Sequence, residues 1–459
     1  MLTPAPKPTT AYRRVTEPQP QIAELHTTVV GHASGVSRRL QIEVGEASLT
    51  LCPVLARGPL RRIKGQRDTR SVPSGEDLPP RVVVVSNVSR FGGGGVIDFL
   101  DILAGLREKC PGIDVVAVVP HKGAVSQRCA NDGIATKIAW TPWWSFGRWS
   151  RWRSVDPHIV VGWLPYTAIL LPGIVQALLL FLRQRPTMVL TNTMTIPSHA
   201  IAAKILGIPH HWVVREFGRD DHQLWFLFGY RRTVRMVGWL SESVICNSRA
   251  VEGAMRALAP TMKTHVIYPV VDSPVGIPPQ RQEGERLRAV LVGYFSAAKG
   301  QHLAIEAIAL ARGAGTDIEL TLVGAGSPQP FRNQAQRLGV DDLVTIEGPT
   351  DDVPRFWAAA HVALMCSQRE AFGRVTVEAM RAGLPVCGTD SGGTQEIIEQ
   401  RVTGLLSPVG DAHALAANLM ALEVDEDLRR RLGRNAQQSA RRFGRERHDN
   451  ELATFLGLH

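Results

Sequence analysis

The chain has 459 residues, 44% hydrophobic and 20% charged, which suits two domains with a segment to spare and a buried core in each. A formal net charge of +10 suits nucleic acid, an anionic membrane or phosphorylated ligands, but nucleic acid is disfavoured because no zinc spacing, helix-turn-helix signature or RNA-binding aromatic motif is present. The six cysteines form no C-x-x-C pair, so neither a disulfide framework nor a metal cluster is expected, and a reducing cytoplasm is the default location.

No apolar core follows Met1, so no signal peptide is expected. Residues 1–80 hold ten of the thirty prolines and read as a partly disordered N-terminal extension. Within it, Leu40-Gln-Ile-Glu-Val alternates as a strand of a small hairpin does. From Arg81 the pattern changes. Val82–Val85 is a continuous β-branched run, as in a parallel strand covered on both faces. Gly92 to Gly95 follow, suited to a mobile lid, then a helical pattern over 96–106 and a second buried strand over 113–119. Met188–Leu190, His211–Val214 and Ser243–Cys246 read as later strands of this first domain, residues 81–272. His210 and His211 read as a strand edge and not as ligands.

The middle of this domain is unusual. Six of the ten tryptophans fall between Trp140 and Trp163 (Trp140, Trp143, Trp144, Trp149, Trp152 and Trp163), with Arg148, Arg151 and Arg153 among them. An uncharged run of 24 residues, Ile159 to Leu182, follows, broken by Pro165 and Pro172. The prolines, and the position inside an α/β alternation, argue against a membrane span. The two open readings are a patch lying on an anionic membrane, with tryptophan at the headgroups, and a buried helix.

Pro269, Pro274, Pro278 and Pro279 mark a linker, after which the alternation restarts. Strands are expected over 289–292, 319–323, 343–346, 362–365 and 385–388, with helices over 301–312, 331–338, 353–360 and after Phe372. The expected fold is α/β, two Rossmann-like doubly wound domains (81–272 and 285–440) facing a cleft, with a C-terminal helix in 441–459 packing back on the first. Strand ends in the second domain lead into Gly293…Lys299-Gly300, Gly324-Ala-Gly326, Ser367…Glu370-Ala-Phe372-Gly373 and Gly392-Gly393. Glycine lets backbone N–H groups approach an anion, a helix start adds its positive end, and Lys299 adds a charge suited to phosphate. Glu370 and Glu378 can face one cleft from different depths, and carboxylates hold vicinal hydroxyls.

The run Glu370-Ala-Phe-Gly-Arg-Val-Thr-Val-Glu378, with Ser367 before it and Gly392-Gly393, Glu396 and Thr403-Gly404 after it, resembles the E-x7-E region of the family 4 retaining glycosyltransferases of GT-B fold. The resemblance spans the second domain. It implies a nucleotide-sugar donor, a glycan or lipid-linked acceptor, and no metal or other cofactor. It implies that Lys299 binds the donor diphosphate, Glu370 the transferred sugar and Glu378 the ribose. Gly293, the backbone at Phe372 and Gly373, and the loop at Gly92 and Gly93 are implied donor contacts. Two departures stand out. Tyr294 takes the place of the arginine usual after the glycine that Gly293 matches, and Arg215 that of a histidine near the reacting carbon. Arg215 cannot serve as a base at neutral pH. It either stabilises a leaving group or acceptor phosphate, or pairs structurally with Glu216. The competing functions are a catalytically weak scaffold and a sugar-nucleotide epimerase.

Overall fold

The computed structural model describes residues 79–90, 92–146, 163–218 and 224–458, and the backbone of a hairpin, β1 (Leu40–Val44) with β2 (Ala47–Leu51). The hairpin is antiparallel, with Leu40 opposite Leu51, and belongs to a unit of residues 1–76. Residues 77–459 form a second unit.

That second unit opens with β3 (Arg81–Val85), α1 (Gly94–Lys109), β4 (Asp114–Val119), α2 (Ala124–Asn131) and β5 (Ala135–Ile138). It continues with β6 (Ser145–Phe146), α3 (Trp163–Gln184), β7 (Met188–Thr191), α4 (Ser198–Leu206) and β8 (His210–Val214). Next come β9 (Trp225–Phe226), α5 (Tyr230–Leu240), β10 (Ser243–Cys246), α6 (Arg249–Leu258) and β11 (Thr264–Val266). A 7-stranded parallel sheet has the order β11-β10-β8-β7-β3-β4-β5. Successive strand side chains point to opposite faces, so the valines divide. Val82 and Val84 pack with Phe99 and Leu103 of α1, while Val83 and Val85 pack with Phe181 of α3 and Ala202 of α4.

The second sheet is built from β12 (Leu287–Val292), α7 (Gln301–Gly313), β13 (Ile318–Val323), α8 (Gln329–Arg337), β14 (Val344–Glu347), α9 (Pro354–Ala359) and β15 (Val362–Met365). It ends with α10 (Arg374–Arg381), β16 (Val386–Thr389), α11 (Thr394–Ile397), β17 (Gly404–Ser407), α12 (Ala412–Val424) and α13 (Glu426–Ala440). Its order is β14-β13-β12-β15-β16-β17, again all parallel. The last helix, α14 (Arg445–Leu456), crosses to the first sheet, where Leu452 and Leu456 join the core under α1. Gly105 permits the approach: a Cβ there would sit 2.2 Å from Asp449 Oδ1. In the first sheet the strand order reverses between β3 and β7, in the second between β12 and β15. Ligands of open α/β sheets bind at such switch points, beyond the strands' carboxyl ends.

Three expectations change. Trp144 is core and not a membrane anchor. It is 1% exposed, stacks on Trp212 with centroids 6.1 Å apart, and donates its indole N–H to the Met194 carbonyl at 2.7 Å. Truncating such a ring costs about 3–5 kcal/mol. Trp149 and Trp152 lie outside the described residues. Gly94 and Gly95 form the first turn of α1, so only Gly92 and Gly93 remain as loop. His210 and His211 are buried in β8, between β7 and β10, and not at a sheet edge. His210 Nε2 meets Thr191 Oγ1 at 2.8 Å, and burial lowers its pKa to about 3. Among the described residues, no helix is long and apolar enough to cross a membrane.

Candidate functional site

The two switch points face each other across a cavity of ≈ 660 Å³. From the first sheet its wall takes the loop at Gly92 and Gly93, the start of α1, Thr193, Thr195 and Arg215. From the second it takes Gly293, Tyr294 and Lys299 after β12, and Ser367, Glu370, Phe372, Gly373 and Arg374 after β15. Residues 70 to 280 positions apart in sequence thus meet because both doubly wound halves open at the same end.

Lys299 closes a 3-10 turn (Ala297–Lys299) just before α7. Its Nζ donates to Glu370 Oε2 at 2.6 Å, and Ser367 Oγ donates to the same oxygen at 2.9 Å. The diphosphate candidate and the sugar candidate are therefore each other's partner when nothing lies between them. The Glu370 loop is held from behind by the glycine pair, for Gly393 N–H donates to the Glu370 carbonyl at 2.7 Å. The Phe372 ring is buried against Tyr268 and Phe443, which leaves only its backbone to face the cavity. Tyr294 is largely exposed, and its carbonyl accepts from Gln301 Nε2 at 3.0 Å.

Arg215 and Glu216 do not form the side-chain pair that was one reading of them. Glu216 is buried and turned to its own half, accepting from Thr193 Oγ1 at 2.8 Å, Met194 N–H at 3.1 Å and Arg215 N–H at 3.0 Å. The Arg215 guanidinium instead donates to Asp98 Oδ2 at 3.3 Å and to the Asn192 carbonyl at 2.8 Å. The other Asp98 oxygen accepts from Arg374 of the second half at 2.6 Å. One buried carboxylate of α1 thus bridges two guanidiniums from opposite walls. Both arginines keep a buried Nε without a partner among the described residues. Glycine makes the packing possible: a Cβ on Gly95 would sit 3.0 Å from Arg215 Nη2, and one on Gly94 would sit 2.9 Å from Arg374 Cδ.

Sequence reasoning missed Asp98 and Arg374. Asp98 is an acid on the inner side of α1, and Arg374 stands inside the motif between the two glutamates. Their pairing needs the two halves face to face, which no spacing encodes. Glu396 is another cross-cleft strut. It accepts from Arg249 N–H at 2.9 Å and Ala250 N–H at 2.7 Å, capping α6 of the first half, and from Tyr268 Oη at 2.8 Å. Burial and this carboxylate raise the Tyr268 pKa to about 12.

Glu378 stands apart from the wall, one turn behind Arg374 on α10. Burial raises its carboxyl above the ordinary glutamate value, against the lowering pull of Arg374. The unfolded chain ionises Glu378 at the ordinary pKa. Between the two values the folded protein holds the extra proton, so stability falls as pH rises through that window. Glu378→Gln is expected to be more stable than the parent at neutral pH and to lose this slope. If Glu378 holds ribose, the same variant binds nucleoside diphosphate roughly 10–100-fold more weakly, the worth of a charge-assisted hydrogen bond. Thermal melts across pH and nucleotide titration read the two effects separately, and unchanged affinity would remove the ribose role.

Residues 277–439 match the family model described as glycosyl transferases group 1. The chain is 37% identical over 125 residues to N-acetyl-alpha-D-glucosaminyl L-malate synthase of Bacillus anthracis, covering 27% of this chain and 32% of that protein. It is 34% identical over 123 residues to D-inositol 3-phosphate glycosyltransferase of Streptomyces bingchenggensis, covering 26% and 27%. The matched stretch thus spans about a third or less of these curated relatives. Among solved structures, Anabaena Alr3699/HepE in complex with UDP-glucose is similar with a TM-score of 0.63 at 20% identity, over 82% of this chain and 99% of that one. The lipopolysaccharide outer core galactosyltransferase WaaB is similar with a TM-score of 0.61 at 14% identity, over 82% and 99%. Such likenesses establish the two-domain GT-B fold, and the family match is confined to the second half. Residues 277–439 are thus similar to the glycosyl transferases group 1 family.

Proposed function

We propose that this protein moves a sugar from a nucleoside diphosphate sugar to a glycan or lipid-linked acceptor, with retained anomeric configuration, in surface polysaccharide or glycoconjugate synthesis in the cytoplasm. One observation carries the reading: Lys299 and Glu370 meet at 2.6 Å at the switch point of the second sheet, in the cleft. A donor would part them, its diphosphate taking the lysine and its sugar hydroxyls the carboxylate. The starts of α1 and α10 also open into the cavity, with no acidic residue in either first turn. Helix N-termini favour anions.

In the step we infer, the bond from the anomeric carbon to the diphosphate oxygen breaks and its electron pair stays on the diphosphate. The acceptor hydroxyl oxygen bonds to the anomeric carbon from the same face, and its proton passes to the departing diphosphate. Negative charge grows on the diphosphate, so fixed positive charge there lowers the barrier. In this reading Lys299 supplies it, with Arg215 and Arg374 close by and the helix ends behind them, without a metal or other cofactor. Support comes from the family match and from a HepE structure that holds UDP-glucose.

The test is a thermal-shift panel of UDP, GDP, ADP and their sugars, followed by donor hydrolysis without acceptor. A ligand that binds only the folded state at 100 times its Kd adds about 2.7 kcal/mol of stability. One nucleotide is expected to raise the melting temperature and its sugar to be slowly hydrolysed. No shift with any nucleotide would overturn the reading, and a shift without hydrolysis would favour the scaffold.

A further inference from the structure

Helices α3, α4 and α5 lie side by side on one face of the first sheet. Phe181 of α3 and Ala202 of α4 sit over Val83 and Val85, and Ala200 of α4 shares a core with Val234 and Val237 of α5. Their inner sides are ordinary core. Their outer sides are not.

On α3, Leu171, Val175, Leu179 and Leu182 are all exposed, Leu171 by 61%. The spacing of four, four and three puts them in one row along the helix, opposite the buried Ala177 and Phe181. On α4, Ile205 is exposed, and on α5 Trp239 is 66% exposed, with Lys204 Nζ 5.4 Å from its ring. The cations on these helices and just beyond α3 are also exposed: Arg183, Arg185, Lys204, Arg231, Arg232 and Arg235. Among the described residues of these three helices there is no exposed acid to balance them, and Glu242, just past α5, is the first. Over residues 163–218 and 224–241 the sequence holds one acidic residue, Glu216, which is buried. A water-facing surface ordinarily mixes both signs and scatters its large apolar side chains. A continuous apolar row flanked by cations, with one tryptophan beside them, is the composition that meets anionic lipid at an interface.

We propose that this outer face of α3, α4 and α5 docks on an anionic bilayer. It takes the place of Trp144, which is core, while Trp140 and Trp143 stay exposed. The face also leads to the cleft. Trp140 donates its backbone N–H to Gln176 Oε1 of α3 at 2.7 Å, and Trp143, three residues on, lines the cavity. An acceptor anchored by a lipid tail beside α3 therefore enters the cleft past Trp143. That last point rests on the transferase reading. The docking itself does not.

The experiment is flotation of the full chain with vesicles of phosphatidylcholine alone or mixed with phosphatidylglycerol, at low and high salt. The protein is expected to float with the anionic vesicles, less so at high salt, and poorly with the neutral ones. Arg231→Gln, Arg232→Gln and Arg235→Gln together should weaken partitioning roughly a hundredfold, at about a factor of five per charge. Leu171→Ser with Leu179→Ser should also release it. Ile277→Ser with Val424→Ser removes exposed apolar groups outside this face and should float like the parent. Melting temperatures and nucleotide binding should be unchanged in all three, so a failure of docking is separable from a failure of the transferase reading. Three results would overturn the proposal: no flotation of the parent at any salt, equal loss in the Ile277/Val424 control, or light scattering showing that the face instead joins two copies of the chain.

Discussion

Lys299→Ala is expected to lower kcat for sugar transfer by about two to three orders of magnitude, the usual consequence of removing one donor aimed at developing negative charge. Substrate affinity should fall much less. In the ground state the donor's charge is already spread over both phosphates, and the starts of α1 and α10 still face it. As the glycosidic bond breaks, the distal phosphate gains charge, and the compact ammonium is worth most there. The fold should survive, because Lys299 is part-exposed and Glu370 keeps the Ser367 hydroxyl as a donor. Steady-state kinetics with a nucleotide panel would separate kcat from KM, and a melt would check folding. An unchanged kcat in a folded variant would remove Lys299 from the reaction.

Asp98→Ala should be the most destabilising single change in the cleft, by about 3–5 kcal/mol, the range for removing one partner of a buried ion pair. The side chains of Asp98, Arg215 and Arg374 are 11%, 10% and 16% exposed, so solvent screening is slight. Without Asp98 both guanidiniums stay buried, and among the described residues Arg374 keeps Asp101, at 4.0 Å, and the pull of Glu378 one turn on. Asp101 is a poor substitute, since burial raises its carboxyl pKa and Arg445 already holds it at 2.6 Å. Adding Arg374→Leu to Asp98→Ala should recover part of the loss, because an apolar residue in such a place is often neutral or better. Urea midpoints of the single and double variants measure this. A loss below about 1 kcal/mol for Asp98→Ala would mean that water reaches the arginines, at a surface pair's worth.

What the chain specified locally was legible before any coordinates. The run Val82–Val85 has four β-branched residues and no polar one, which only a strand covered on both faces satisfies, and β3 is such a strand. The restart of alternation after the prolines following Tyr268 likewise announced a second sheet. The glycines at strand ends and the Glu370 motif could be read because short-range order decides them: a strand, a tight loop, then a helix start. Elements with weak patterns escaped. The strand β17 at the edge of its sheet, Gly404–Ser407, has too little alternation to announce itself.

Tertiary structure decided which reading of an ambiguous residue held. Trp143 and Trp144 are neighbours in sequence, yet one lines the cleft and the other stacks on Trp212. Along the uncharged run, α3 turns Ala177 and Phe181 to the sheet and leaves Leu171, Val175 and Leu179 outward, a division that only the placement of the sheet decides. Arg215 lay beside Glu216 in sequence but reached Asp98, 117 residues away, because Glu216 was already committed to the backbone of its own half. Arg374 joined the same carboxylate from 276 residues away. Periodicity and motif spacing report contacts along one element. They carry no information about which charge faces which across a cleft, and that is set by how the two halves close.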